Sequence, residues 1–304
     1  MGDLATDKLG RATFHHIVPR HDVRPTEREI RWLKHIERHG PQSSQYLYEL
    51  TLDTHRCKDT ALRQMQKLRA GGYLALPPQQ RQTAKAEFNP YIYDLTPKAR
   101  DHLGDLGLAE PAVRPRGHWW HGYAVSCVTS SIDIAARRDG TRYIPAHEIL
   151  AIRGASLSIS VGRQRLIPDQ LFALDYGGCY RVFALEVDRG TEPLKSSAAR
   201  KSLLSAVALY RQVLEQLLYK QHYGLKANLL VLWVFESRAR QEQFRRMMES
   251  WAAPTARAML SYSIDPSTSA NEQGTPVGAV YDGLWVAGEG RQMSLGLESG
   301  STDG

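Results

Sequence analysis

The chain has 304 residues, with 39 Lys+Arg against 32 Asp+Glu and a formal net charge of +7. A hydrophobic content of 42% and a charged content of 23% belong to a chain that buries a core, and exclude wholesale disorder. No apolar run approaches the ~18–20 residues of a membrane span, and the opening MGDLATDKLG has no apolar stretch of a secretory signal. The three cysteines, Cys57, Cys127 and Cys179, are too few and too scattered for a disulfide framework or a zinc site, so a cytoplasmic location is expected.

At roughly 100–200 residues per domain the length suggests two domains. The charge is unevenly shared between them. Residues 1–116 hold 19 Lys+Arg and 14 Asp+Glu, a net of +5, which leaves +2 for the rest. The division is expected across residues 110–117, where Pro111, Pro115 and Gly117 interrupt any periodic pattern. The resulting plan is an N-terminal arm over 1–24, a first domain over 25–109, a linker, a second domain over 118–290 and a disordered tail over 291–304.

In chain order, Pro25-Thr26 opens a helix that carries Ile30, Leu33 and Ile36 at helical spacing and ends at Gly40-Pro41. Ser43 or Ser44 caps a short second helix bearing Tyr46, Leu47 and Leu50. A third helix runs from about Lys58 to Arg69 and stops at Gly71-Gly72. It sets Leu62, Met65 and Leu68 on one face, leaving Arg56, Lys58, Arg63 and Lys67 for the other. Strands are predicted over Tyr73–Leu76 and Tyr91–Leu95, separated by a polar loop, Pro77 to Phe88. Thr96-Pro97 then caps a fourth helix. Three helices followed by a hairpin is the order of a winged helix-turn-helix. Its third helix would enter the major groove of double-stranded DNA, with Arg81 and Lys85 on the loop reaching phosphate. A basic run of this kind is also the ordinary solvated face of an amphipathic helix, so the order of elements carries the reading.

Beyond the linker, His118 to Arg138 reads as a helix with Val125, Val128, Ile132 and Ala135 on one face. His118 and His121 lie three apart on it. Glu148 falls near the start of a short helix or strand. Three β runs follow, at Leu157–Val161, Arg165–Leu174 and Tyr180–Val187, the last two joined through Gly177-Gly178. A long helix from about Ser196 to His222 buries Leu203, Val207, Tyr210, Leu214 and Leu217. Asn228–Phe235 is almost wholly apolar, as a central strand covered on both faces must be. A helix over Arg238–Trp251 and a last strand over Val280–Val286 complete an α/β domain of order αβββαβ.

The chemistry lies in the carboxylates. Glu186 and Asp188 are two apart on one strand and so share a face. Asp169, on the adjacent antiparallel run, is placed to face them. Carboxylates gathered in this way repel unless a cation joins them. Mg²⁺ or Mn²⁺ satisfies that need through oxygen ligands, and metal-bound water would then attack a phosphodiester while Lys201, or Lys195, stabilises the developing charge. A structural acidic cluster tied by Arg165, Arg189 or backbone donors remains the alternative.

Ile167-Pro-Asp169, the string Leu185-Glu-Val-Asp-Arg-Gly-Thr-Glu192, Lys201 and Tyr210 together resemble the replication-relaxation family, which includes proteins similar to MobC-type plasmid mobilisation relaxases. The resemblance covers about Pro25 to Val286. It implies an α/β chain with an N-terminal winged helix and a core like that of PD-(D/E)XK nucleases. It further implies double-stranded DNA as partner, other mobilisation or replication proteins beside it, and a possible homodimer. Asp169 and Glu186 match the metal-binding acids, and Glu148 falls where such folds often carry a helical Glu. Asp188 departs from the pattern, because a nuclease would carry Lys there. Lys201 would have to serve from the helix, or the core is a silent DNA-binding scaffold.

Overall fold

The computed structural model describes residues 17–55, 57–82, 90–113, 118–190, 202–264 and 278–296. The chain forms two compact units that divide at Pro111 and Ala112.

The first unit opens with α1 (Glu27–His39). The Glu29 carboxylate closes its first turn by accepting from the Thr26 backbone N–H at 2.7 Å. Its apolar stripe is Trp32, Leu33 and Ile36, all fully buried, and the indole of Trp32 donates to the Leu47 carbonyl at 2.7 Å. Next come β1 (Gln42–Ser43) and α2 (Ser44–Leu50), with Ser43 as N-cap accepting from Tyr46 N–H. Helix α3 (Lys58–Ala70) buries Ala61, Met65 and Leu68. It ends where the chain passes closest to Val23, since a Cβ on Gly71 would lie 2.6 Å from the valine Cβ. Strands β2 (Leu74–Ala75) and β3 (Ile92–Leu95) follow, and α4 (Pro97–Asp105) is capped by Thr96. The sheet is antiparallel with order β1-β3-β2. Two residues of β1 add a third strand to the predicted hairpin, a pairing too short to leave a periodic signal. The start of the predicted loop is a 3-10 turn, Pro78–Gln82.

The stretch expected as a linker is partly tied down. Glu110 takes a two-pronged ion pair from Arg38 at 2.6 and 2.8 Å and belongs to the first unit. Val113 offers its carbonyl to the Gln170 side chain at 3.0 Å within the second.

The second unit begins with α5 (Trp119–Arg138), β4 (Arg142–Pro145) and α6 (Ala146–Ala151). A small antiparallel hairpin, β5 (Ile159–Val161) and β6 (Gln164–Leu166), precedes β7 (Gln170–Asp175) and β8 (Tyr180–Asp188). The single run predicted over Arg165–Leu174 is therefore two strands in two sheets, broken at Ile167-Pro168-Asp169. Proline lacks the N–H that a continuous ladder would need.

Then come α7 (Leu203–Glu215), α8 (Leu218–Tyr223), β9 (Leu229–Phe235), α9 (Arg238–Arg246) and α10 (Ala253–Ala258). The chain ends in β10 (Met259–Ser263), β11 (Trp285–Ala287) and β12 (Gln292–Met293). Seven strands form one mixed sheet in the order β12-β11-β10-β9-β8-β7-β4. Only β8–β9 and β9–β10 are parallel pairs. The apolar β9 is central, as its composition demands. Tyr210 and Val207 of α7 pack on one face of the sheet, and Val128 and Ile132 of α5 on the other, so the unit is a layered α/β structure.

Three expectations are corrected here. The long helix predicted to His222 is broken at Leu217, which sits at φ 54 and is exposed rather than part of the buried stripe. The strand predicted over Val280–Val286 lies at Trp285–Ala287 and is followed by β12. Val280 and Tyr281 fill the core from a turn, held by the Trp285 indole donating to the Val280 carbonyl at 2.7 Å. Residues 291–296, assigned to the tail, are ordered because β12 pairs with β11 and Leu295 is buried.

Candidate active site

The site is built where the antiparallel ladder of β7 and β8 runs out. Their last pair at this end is Gln170↔Leu185, so one step further Asp169 falls opposite Glu186. At that point a side chain takes over from the backbone: Asp169 Oδ2 accepts from the Val187 N–H at 2.9 Å. Both carboxylates are buried, Asp169 at 5% and Glu186 at 2% exposure. Two such groups side by side carry a large desolvation cost unless neighbours supply donors or positive charge.

Two other elements supply them. From α7, the Tyr210 hydroxyl donates to Glu186 Oε1 at 2.8 Å. Burial first, and then the adjacent Glu186 carboxylate, push the Tyr210 phenol well above its usual range. It is therefore held as a neutral donor, which suits a positioning group and not a phenolate nucleophile. From the first turn of α5, His121 Nε2 lies 3.0 Å from Asp169 Oδ1. The structure aims His121 at a carboxylate 48 positions away, where only the fold could bring it.

Asp188 is drawn elsewhere. It shares the face of Glu186, but its Oδ2 is 2.9 Å from Arg240 Nε on α9, in a pair that is 13% and 5% exposed. Its Oδ1 accepts from Gly190 N–H at 2.6 Å, and Gly190 adopts φ 70, a turn that a side chain would strain. Glu148, on α6, is half-exposed and takes Arg142 at 2.7 Å. Lys201 and Lys195 lie outside the described residues. Arg240 was missed by the sequence reading, as nothing local to α9 singles it out from its neighbours.

Asp169, Glu186 and His121 offer oxygen and imidazole donors of the kind that hold a hard or borderline divalent cation. Among the described residues, no three of their ligand atoms lie within 4.8 Å of one another.

In the first unit, Lys58, Arg63 and Lys67 all point to solvent along α3. Lys58 donates to Gln45 at 3.2 Å, and Arg63 to the Asp59 carbonyl at 3.3 Å. Arg56, Lys85 and the side chain of Arg81 lie outside the described residues. Among the described residues, no helix is long and apolar enough to cross a membrane.

The family model for replication-relaxation proteins matches residues 33–229. The chain belongs to the replication-relaxation family. The match spans about two thirds of its length and includes α3, Asp169, Glu186, Asp188 and Tyr210. Membership suggests a role in the replication or mobilisation of a plasmid or other mobile element. No curated protein and no solved structure matches the chain.

Proposed function

We propose that this replication-relaxation protein binds duplex DNA of a mobile element through a winged helix in its first unit, and nicks one strand at the Asp169–Glu186 site with Mg²⁺ or Mn²⁺. The observation that carries the reading is the pair itself: two buried carboxylates at the open end of paired strands, with a neutral phenol on one and an imidazole on the other. When bound, the metal would supply Lewis acidity toward a phosphodiester and a more acidic water. Asp169 and Glu186 would hold it. Tyr210 fixes the Glu186 carboxylate by donating to one oxygen, and the Val187 N–H fixes one oxygen of Asp169, so that both carboxylates are oriented from outside the pair. His121 lies within hydrogen-bond reach of Asp169 and orients that carboxylate from its other oxygen. The exposed cations of α3 would meet backbone phosphates and release counterions, making binding strongly salt-dependent.

The test is a nicking assay on supercoiled plasmid carrying the DNA that flanks the native gene, with Mn²⁺ binding followed by calorimetry. Asp169→Ala and Glu186→Gln should abolish relaxation and weaken Mn²⁺ at least tenfold. Unchanged cleavage and unchanged Mn²⁺ binding would remove the catalytic assignment.

One observation favours a second reading. Asp188 stands where a nuclease of this kind would carry Lys, and it is engaged by Arg240. On that reading the core is a catalytically silent scaffold and the protein a DNA-binding accessory factor or regulator. Absence of any Mn²⁺ heat in the wild-type protein, with duplex binding intact, selects it.

A further inference from the structure

At the opposite end of β8 from the carboxylates lies a concavity that the proposed chemistry does not use. A cavity of about 600 Å³ is lined by Tyr176, Tyr180, Arg181, Arg291 and Met293, among others. A second, of about 490 Å³, adjoins it and shares Arg181, Arg291 and Met293 in its lining, so the two arginines stand at the centre of one grooved surface. Either volume is in the range that holds a small ligand. Arg181 and Glu186 are five residues apart on one strand, about 17 Å at ~3.3 Å per residue, so the groove is separate from the carboxylate pair.

Its chemistry is cationic and aromatic. Among the described residues no carboxylate pairs with Arg181, whose guanidinium lies over the Tyr176 ring at 5.3 Å. Among the described residues Arg291 pairs with Glu289 at 3.9 Å, and Glu289 is already held by Arg257, with both oxygens at 2.8 Å. Asp175, the nearest carboxylate in sequence, is taken up by the Gly178 N–H at 2.8 Å in the hairpin turn. Tyr176 is anchored, its hydroxyl donating to the Leu295 carbonyl at 2.7 Å. Tyr180, at the start of β8, is 41% exposed and lines the first cavity together with both arginines.

We infer that this groove holds single-stranded DNA, its phosphates on Arg181 and Arg291 and a base against Tyr180. Cations that track a backbone beside aromatic rings are what unpaired nucleotides require. A duplex keeps its base faces stacked inside and offers nothing to a tyrosine face. The inference rests on the reading of the chain as a DNA-handling protein, but not on its cleaving DNA.

The test uses the full chain without divalent metal, following fluorescence anisotropy of a labelled 20-residue oligothymidylate. Arg181→Ala/Arg291→Ala should weaken this binding at least tenfold and flatten its salt dependence by about 1.4 in log–log slope, ~0.7 for each phosphate released. Tyr180→Ala should weaken it about tenfold through lost stacking. Affinity for a 20-base-pair duplex should stay unchanged in both variants. These three side chains are exposed, and an unaltered melting temperature confirms that the variants fold. Three results overturn the assignment: unaltered oligothymidylate affinity in the double variant, an equal loss on duplex, or thymidine monophosphate binding as tightly as the oligomer. Should the wild type fail to bind duplex while Arg181- and Arg291-dependent binding of the oligomer persists, the winged-helix reading falls and the groove stands.

Discussion

The cations of α3 and the carboxylates at the end of β8 are both charged groups set by regular structure, yet they live under opposite conditions. Lys58, Arg63 and Lys67 are exposed, and their bonds to the rest of the unit are few and weak. Asp169, Glu186 and Asp188 are buried, and each has a defined donor from a different element. An exposed charge costs little to keep and costs little to remove, so such a face is free to serve a ligand without serving the fold. A buried charge has lost its water and must be compensated inside the protein, so the same residue carries stability and chemistry together. Asp188 shows how far this goes: only two residues from Glu186 and on the same face, it is matched by its own arginine.

Substitutions should separate these conditions, the largest effect falling on the buried pair. Asp188→Ala removes the carboxylate that meets Arg240 Nε in a largely buried pair and should cost about 3–5 kcal/mol in urea unfolding. Adding Arg240→Met should recover much of that loss, and a double variant no more stable than Asp188→Ala would deny the coupling. Tyr210→Phe removes one donor from the buried Glu186 and should cost about 1–3 kcal/mol. It should also lower Mn²⁺ affinity while leaving duplex affinity unchanged. If Tyr210 were a covalent nucleophile, strand–protein adducts would form in the wild type and vanish in this variant.

The exposed cations should behave in the reverse sense. Lys58→Ala/Arg63→Ala/Lys67→Ala should leave stability within about 0.5 kcal/mol. The triple change should weaken duplex binding about tenfold or more, reducing the salt slope by about 2.7, or ~0.9 for each phosphate no longer neutralised. A salt slope identical to wild type would mean that this face is only solvated surface. The smallest effect is expected at Leu217, a non-glycine residue at positive φ. Leu217→Gly relieves left-handed strain of about 1–2 kcal/mol against a chain-entropy cost of about 0.5–1 kcal/mol. A net gain between zero and about 1.5 kcal/mol should appear in thermal unfolding.

The elements of the first unit were legible because their signals are local. Thr26 with Glu29, Ser43 and Thr96 mark helix starts, Gly71-Gly72 marks an end, and Trp32, Leu33 and Ile36 recur at helical period. The apolar run of β9 likewise announced a strand covered on both faces. Short or interrupted elements were harder. The pairing of β1 rests on two residues, and β6 and β7 read as one run because apolar residues continue on both sides of Pro168. The helix ending at Leu217 kept its apolar period through a turn whose backbone alone changes direction.

Within the candidate site, sequence alone determined that Glu186 and Asp188 share a face, because strand periodicity is intrinsic to the backbone. It also placed Asp169 within reach of them, since Gly177-Gly178 folds the two strands into one hairpin. Tertiary structure decided the rest: that His121 of α5 approaches Asp169, that Tyr210 of α7 donates to Glu186, and that Arg240 of α9 claims Asp188. Those partners lie 24 to 52 positions away in sequence. Their meeting depends on which helices cover which end of the sheet, a matter of packing that no local pattern encodes.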